Sequence, residues 1–462
     1  MKIIQKITTL LCLGLLTYSC NVLDQEPELQ ISDQRAITNL SGANSALFGA
    51  YDQLQGVYQG RLQRVGDVSG DVSQSIGTWD FYREMDTYAV SADNTEILDL
   101  WTFIYRTVNQ TNNLITEVPK IDAIQAEKDN ILGQAHFLRA LAFFDAARIW
   151  GGVPGVVGNL GIPLVLTPSR GVDENSFPAR ATLQATYAQV KSDLNEALRL
   201  LPENQANNAA TRGRATKNAA RALLSRLHLY LGEWNEAESR ASEVIADSKF
   251  TLVPYASIFS SDNSNESIFE VQFNNADQSG LRYWYAPGAL GGRGELAANT
   301  DFYNSFSNQD SRKALFGRDN VVGVWYPSKY IRAGNVDNAH VLRLAEMYLN
   351  RAEARAKKST PDLVGARADL NMVRNRAGIG LFTDDIPLLM AIERERRWEF
   401  FAEGHIFFDL VRTGRALTVL RNVNRRNGPP VSLTDANRQL MPIPRSDIDS
   451  NPNITQNPGY GN

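Results

Sequence analysis

Apolar residues recur at helical spacing along most of this sequence, and this periodicity limits the fold more than any other feature. Between Asn94 and Pro119, the residues Leu98, Trp101 and Val108 fall largely on one helical face, and Pro119 ends the segment. The same pattern runs through residues 129–154, 181–202, 215–247, 339–358, 362–379 and 388–414. Strand-like alternation is much rarer, so the sequence predicts a mainly α protein.

The segment 215–247 is predicted to form a closely packed helix pair. Its two helices meet at the turn LGEW around Gly232, and the small residues Ala237 and Ala241 on the second helix let the pair approach closely. This arrangement resembles a tetratricopeptide unit. A comparable pair recurs at 339–358 and 362–379, so we expect tetratricopeptide-like pairs to build a single large helical scaffold over residues 40–462.

Residues 250–331 interrupt the helical pattern. The stretch SIFEVQF (267–273) alternates like a strand, and the remainder is rich in glycine, asparagine, serine and aromatic residues. The sequence predicts a loop-rich insert with short strands here, and further long ordered loops from Val65 to Ser91. Long loops on a rigid scaffold commonly carry function.

The first twenty residues have the layout of a lipoprotein signal peptide. Lys2 and Lys6 precede a short apolar run, Ile7 to Leu16. This run is too short for a permanent membrane span of about 20 residues. Removal of residues 1–19 would leave Cys20 to carry acyl chains that hold the protein at a membrane. The polar stretch 20–39 is then the lipid-anchored tether. The alternative is an ordinary secretory signal with an incidental cysteine.

Cysteine count and charge argue against a disulfide-stabilised protein and against a nucleic-acid-binding protein. Cys12 would leave with the signal, so Cys20 has no partner for an internal disulfide. The net charge of −4 and the pI of about 5.8 give no electrostatic footprint for nucleic acid. No later stretch approaches a second membrane span.

Acidic and metal-binding motifs give no sign of catalysis. The densest acid cluster, Glu393, Glu395, Glu399 and Glu403, supplies the two carboxylates that a glycosidase needs, but its spacing of four beside arginines predicts ion pairs along a helix. The histidines His136, His228, His340 and His405 lack a metal-ligand spacing. We predict neither an enzyme nor a cofactor, and no metal site, with an oxygen-ligand calcium site in the loop 260–266 left open.

Six blocks and the lipoprotein-type start together resemble the SusD/RagB family of surface lipoproteins. The blocks are GQAHFLRALAFFDAARIWGGVP, ARALLSRLHLYLGEW, VLRLAEMYLNRAEARAK, LNMVRNRAG, ERRWEFFAEGHIFFDLVR and LMPIPRSDIDSNPNITQNPGY. The resemblance implies a helical lipoprotein at the cell surface, anchored in the outer membrane. It also implies that the protein caps a SusC-like TonB-dependent transporter and captures nutrients for it. Most such proteins bind glycans, and some bind peptides.

Loop aromatics are the candidates for ligand binding. A sugar ring packs its C–H face on an aromatic ring, while its hydroxyl groups need polar neighbours. Consecutive aromatics in an extended segment cannot all face the core, which favours the run 283–285. The predicted ligand-binding residues are Trp79, Tyr82, Arg282, Tyr283, Trp284 and Tyr285, with Asp80, Arg83 and Asn299 as plausible neighbours and Trp325, Tyr326 and Tyr330 as a further aromatic group.

Two alternatives stay open at this point. An oligopeptide-binding member of the same family would need a groove with backbone-pairing groups instead of stacked rings. A helical-repeat scaffold that holds other proteins would use a concave helical surface and would not need the loop aromatics.

Overall fold

The computed structural model describes residues 36–171, 176–426 and 428–461. The predicted signal peptide, Cys20 and residues 21–35 of the tether lie outside these ranges. Ile37 is buried against the core. The side chain of Asn39 caps the first helix by accepting from the backbone N–H of Gly42 at 3.0 Å. Ile37 and Asn39, which the sequence predicts to lie in the tether, thus contact the fold in the described part of the chain.

Helices dominate the described residues, which confirms the mainly α prediction. In the first half they are α1 (Leu40–Tyr58), α2 (Arg61–Val68), α3 (Asp80–Asp86), α4 (Thr95–Glu117), α5 (Gln125–Ala146), α6 (Leu183–Leu200), α7 (Asn208–Gly213), α8 (Lys217–Leu231) and α9 (Trp234–Ile245). In the second half they are α10 (Tyr255–Ser260), α11 (Thr300–Asn304), α12 (Leu344–Lys357), α13 (Leu363–Ala377), α14 (Leu388–Glu399), α15 (Ile406–Arg412), α16 (Ala416–Val419) and α17 (Arg445–Ser450). Among these described helices, none is both long enough and apolar enough to cross a bilayer.

Neighbouring helices pack as antiparallel-type pairs in chain order. Helix α4 packs on α5, α8 on α9, and α12 on α13, while α9 also contacts α12 and so joins two pairs. Helix α8 ends at Gly232, whose φ of 68° is the left-handed conformation that glycine adopts without steric penalty. Ala237 and Ala241 are fully buried at the following crossing. The predicted tetratricopeptide-like pairing is confirmed.

The described strands form four small antiparallel sheets of two strands each. They are β1 (Ser73–Ser75) with β5 (Leu296–Ala298), β2 (Leu160–Pro163) with β3 (Arg180–Thr182), β4 (Ser267–Val271) with β8 (Ala339–Arg343), and β6 (Phe316–Asp319) with β7 (Val324–Pro327). Strands β4 to β7, the short helices α10 and α11 and the connecting loops make up the predicted insert.

Two local predictions are wrong. The helix predicted from residue 339 begins only at Leu344, because Ala339–Arg343 is a fully buried strand paired with β4. Apolar periodicity alone does not distinguish such a strand from a buried helix. The region 65–91, predicted as long loops, contains the end of α2, strand β1 and helix α3. Helix α2 is buried on nearly every side, including its polar residues Gln63, Arg64 and Asp67, so its surroundings in the fold place it and not a solvent-facing polar side.

A buried network of charged side chains joins the insert to helix α14. Arg312, in the insert, donates to Glu395 at 2.6 Å and to Glu399 at 3.1 Å. Arg343, the last residue of β8, donates to Glu399 at 2.5 Å and to Glu403 at 2.7 Å. All five side chains are buried. The sequence predicts pairs along one helix, but these carboxylates find their partners on other elements.

Glu399, at the centre of the network, is ionised despite its burial. Burial by itself would raise the pKa of Glu399, but Arg376, Arg343 and Arg312 outweigh it and hold that pKa well below its usual range. Burial lowers the pKa of Lys329, another member from the insert, to about 8. Arg312 and Lys329 of the insert thus contact Glu395, Glu399 and Glu403 of the helical region through buried ion pairs.

Candidate functional site

The sheet of β1 and β5 brings the two aromatic-rich regions together. Ser73 pairs with Ala298 and Ser75 with Leu296. Beyond β1, the backbone N–H groups of residues 76 and 77 both donate to the carbonyl oxygen of Glu295, at 2.9 and 3.1 Å. The chain therefore enters residue 79 next to residues 293–295, which in turn pair with residues 283 and 284.

The carboxylate of Glu295 fixes the start of the Trp79 loop. It accepts from the backbone N–H of Thr78 at 2.8 Å and lies 3.3 Å from the guanidinium of Arg293. A Cβ added to Gly77 would overlap this carboxylate, so any larger residue at that position would displace the side chain of Glu295. The short stretch Gly77-Thr78-Trp79 is thus held by one buried acidic side chain.

Residues 281–286 form a turn, and the prediction of an extended segment is wrong. The N–H of Ala286 donates to the carbonyl of Arg282 at 2.9 Å, which closes the turn. The carbonyl of Tyr283 accepts from the N–H of Arg293 at 2.7 Å, and the carbonyl of Trp284 accepts from the N–H of Glu295 at 3.0 Å. Because of this geometry, side chains 283 and 285 point to different sides of the turn.

Trp79, Tyr283 and Trp284 form the outer part of one aromatic cluster. The side chain of Trp79 is 39% exposed and that of Tyr283 is 37% exposed, while Trp284 lies half-buried between them. The ring centroid of Trp284 is 6.0 Å from that of Trp79 and 5.3 Å from that of Tyr283, both edge to face. Edge-to-face pairs hold aromatic rings in fixed orientations. The cluster therefore offers a preformed apolar surface to solvent.

Tyr82 and Tyr285, two other predicted ligand-binding residues, are buried. Tyr82 lies beneath the cluster, with its ring centroid 5.3 Å from that of Trp284. The hydroxyl of Tyr285 lies 3.3 Å from the hydroxyl of Ser73, and burial raises the pKa of both tyrosines. Neither ring presents a face to a ligand, because both pack against the core behind the cluster.

The predicted polar residues Arg282, Asn299, Asp80 and Arg83 contact other parts of the protein or each other. Arg282 donates to the carbonyl of Leu290 and so holds the turn at 288–290. Asn299 is buried, where it caps α11 and donates to the carbonyl of Asn424 at 2.7 Å. Asp80 and Arg83 pair with each other on the exposed side of α3.

Arg293 is the functional candidate that the sequence reasoning misses. Its guanidinium lies 5.1 Å from the ring centroid of Trp79 and 5.9 Å from that of Trp284. Contacts with the side chains of Tyr283 and Glu295 raise the pKa of Arg293, so it is charged. The only signal in the sequence is a lone arginine in the glycine-rich run GGRGE, which by itself indicates a loop.

The remaining predicted aromatics pack within the insert. Trp325 stacks on Tyr303 with 4.1 Å between centroids, and Tyr326 and Tyr330 are buried. In the ranges that the structure describes, no three histidine, cysteine or acidic residues are grouped as a metal site would need. In the loop 260–266, Glu266 is committed to Arg343, which donates to it at 2.9 Å.

Two family models match this chain. The model described as the SusD family matches residues 318–460, and the model described as starch-binding and associating with the outer membrane matches residues 22–229. Residues 230–317, which include Tyr283 and Trp284, are matched by neither of these two models.

Individual relatives show likeness over different shares of the chain. SusD-like protein P25 of Formosa agariphila is 26% identical over 542 aligned positions, covering 99% of each chain. The starch-binding protein SusD of Bacteroides thetaiotaomicron is 35% identical over 121 residues, which is 26% of this chain and 21% of that protein. A solved structure of a SusD superfamily protein from Bacteroides thetaiotaomicron superposes with a TM-score of 0.79 at 28% identity, covering 91% of this chain and 100% of that one.

Proposed function

Since this chain belongs to the SusD/RagB family, we propose that it is a cell-surface lipoprotein that captures oligosaccharides and does not cleave them. The relative from Bacteroides thetaiotaomicron is named as a starch-binding protein, and one matching family model is described as starch-binding. These names support a glycan as the class of ligand.

The observation that carries the proposal is the aromatic cluster. Trp79 and Tyr283 are both partly exposed and are held in place by Trp284, and Arg293 supplies charged N–H donors over the ring of Trp79. A pyranose has an apolar C–H face and a rim of hydroxyl groups. This surface meets both requirements, because the rings contact the C–H face while the guanidinium and nearby backbone groups bind hydroxyl oxygens.

The placement of the acidic residues supports binding without hydrolysis. A glycosidase needs two carboxyl groups that flank the scissile bond in an accessible cleft. Glu395, Glu399 and Glu403 are buried and ion-paired with basic side chains of the insert and of β8. A substrate cannot reach them without unfolding the junction between insert and scaffold.

Membrane attachment and partner complete the proposal. Acylation of Cys20 would anchor the protein in the outer membrane, with residues 21–35 as the connection to the folded region. The description of one matching model as associating with the outer membrane supports this location. We propose that the bound oligosaccharide then passes to a SusC-like TonB-dependent transporter that the protein caps.

Affinity electrophoresis tests the function. Purified protein without the signal peptide is run in native gels that contain one polysaccharide each, and the same mixtures are assayed for new reducing ends. We expect retardation in at least one gel, no reducing ends, and loss of retardation in Trp284→Ala, whose thermal unfolding is compared with wild type as the folding control. Release of reducing ends would contradict binding without hydrolysis. Retardation unaffected by Trp284→Ala, or capture of peptides and not glycans, would contradict the site or the ligand class.

A further inference from the structure

A second cleft, of about 670 Å³, lies along helix α1. Its walls come from α1, from α7 and the residue that follows it, and from the end of β4 with the chain that leaves it. The lining residues used below are Phe48, Tyr51, Asp52, Arg214, Gln272 and Asp277. No residue is shared with the cluster formed by Trp79, Tyr283 and Trp284.

Arg214 is held between two aromatic rings in this cleft. Its guanidinium carbon lies 4.3 Å from the ring centroid of Phe48 and 4.3 Å from that of Tyr51. These rings are one helical turn apart on α1, so the planar cation is oriented by both. The side chain of Phe48 is 53% exposed, which is unusual for phenylalanine and leaves part of its ring face open to the cleft.

The charge of Arg214 is not neutralised within the described part of the chain. No carboxylate there forms an ion pair with Arg214. The hydroxyl of Tyr51 interacts with its side chain, but the Nη1 atom is shielded from solvent without a hydrogen-bond partner. Burial accordingly lowers the pKa of Arg214. By contrast, buried Arg226 pairs with Glu346 at 2.6 Å, and buried Arg139 pairs with Asp193. A half-buried arginine without a counter-ion is prepared for an anionic ligand.

The other lining residues restrict the kind of anion. Asp52 and Asp277 line the same cleft, and they would repel a small inorganic anion that has no donors of its own. A sugar acid offers one carboxylate for Arg214, hydroxyl donors for these two aspartates and a C–H face for the ring of Phe48. We propose that this cleft binds a carboxylate-bearing pyranose, a uronic acid residue of a glycan.

One stripe of residues along helix α1 runs from the cleft towards the segment that carries the aromatic cluster. Phe48, Asp52 and Gln55 follow one another at helical spacing along α1, and Gln59 continues the stripe. The carbonyl of Gln59 lies against Gly280, where an added Cβ would come within 2.7 Å of it, and the turn of residues 281–286 follows directly. Phe48 and Gln59 are eleven residues apart, which corresponds to about 16 Å along the helix axis. The uronate site nevertheless needs no contribution from the cluster and stands independently of it.

Calorimetric titration tests the proposal with the full-length mature chain. The probes are trisaccharides of galacturonic, glucuronic, mannuronic and guluronic acid, each with its neutral methyl ester. We expect at least one acid to bind, with its ester about tenfold weaker or more, because the ester loses the charge-assisted hydrogen bonds to Arg214. Phe48→Ala and Arg214→Gln should each weaken binding of that acid about tenfold, whereas Leu381→Ala, another exposed apolar side chain, should not.

Controls separate this site from the aromatic cluster. Trp284→Ala should leave uronate binding unchanged even where it abolishes binding of a neutral glycan, so failure of one site does not imply failure of the other. Phe48 is largely exposed, so we expect Phe48→Ala to fold. This variant therefore still tests the site if Arg214→Gln unfolds. The proposal would be overturned if none of the four acids bound or if acid and ester bound equally. It would also be overturned if Phe48→Ala left uronate binding unchanged or if Trp284→Ala abolished it.

Discussion

Replacing Glu399 by glutamine keeps the shape of the side chain but removes one negative charge from the centre of the buried network. Glu399 accepts from Arg312 at 3.1 Å and from Arg343 at 2.5 Å, and it also pairs with Arg376. All three guanidinium groups stay buried after the substitution, with one carboxylate fewer to neutralise them. The uncompensated charge, and not the lost hydrogen bond, is the main source of the expected destabilisation.

Breaking a buried ion pair from one side typically costs about 3–5 kcal/mol. For a chain of 462 residues the entropy of unfolding near the melting temperature is about 1 kcal/mol per kelvin, so Glu399→Gln should lower the melting temperature by about 4 °C. Differential scanning calorimetry at neutral pH measures this shift. We also expect faster proteolysis within residues 300–331, because Arg312 joins that part of the insert to α14.

Glu393→Gln is the matched control, since it makes the same change six residues earlier on the same helix. Glu393 pairs with Arg415 at 3.1 Å, with 20% and 35% of the two side chains exposed. Such partly exposed pairs contribute at most about 1 kcal/mol, so the melting temperature should fall by about 1 °C or less. Equal shifts for the two variants would refute the reasoning that burial of the network makes it critical.

Three further predictions follow from other parts of the molecule. Gly77→Ala would displace the carboxylate of Glu295, so we expect weaker glycan binding in calorimetric titration with an unchanged melting temperature; unchanged affinity would contradict the role of Glu295 in holding the loop. Burial raises the pKa of Asp86 to about 6, against the effect of Arg425, so the folded state binds this proton more tightly than the unfolded state and loses stability as pH rises from about 4 to 6. The free energy of unfolding of Asp86→Asn minus that of wild type, measured in urea titrations, should therefore rise by up to about 3 kcal/mol from about pH 4 to about pH 6. A difference that does not change with pH would contradict this pKa. Cys20→Ala should move the protein from the detergent phase to the aqueous phase in Triton X-114 partitioning, and retention in the detergent phase would argue against acylation at that residue.

The long helices could be predicted because each satisfies a local rule. In α4 and α8 the apolar stripe, the capping residue and the terminating residue agree, and tertiary packing only adds to them. The strand Ala339–Arg343 could not be predicted in the same way. Its burial depends on a partner, Ser267–Val271, that is distant in sequence, and an apolar run without a partner fits a helix equally well.

The site was predictable in its residue types but not in its geometry. Trp79 and Tyr283 could be selected because they are aromatics in loops. Their meeting depends on a strand pair of only three residues and on one carboxylate, that of Glu295, which no periodicity reveals. Arg293 and the burial of Tyr82 likewise depend on how the two segments fold over each other.

Titration calorimetry with the polysaccharide that retards the protein in native gels tests the central claim most directly. It compares wild type with Trp79→Ala, Tyr283→Ala and Tyr348→Ala, the last being a half-buried tyrosine on α12 outside the cluster. We expect the first two variants to bind about 30-fold more weakly, as for residues that dominate an interface by about 2 kcal/mol, and Tyr348→Ala to bind like wild type. Wild-type affinity in both Trp79→Ala and Tyr283→Ala would contradict the claim that this cluster is the glycan-binding surface.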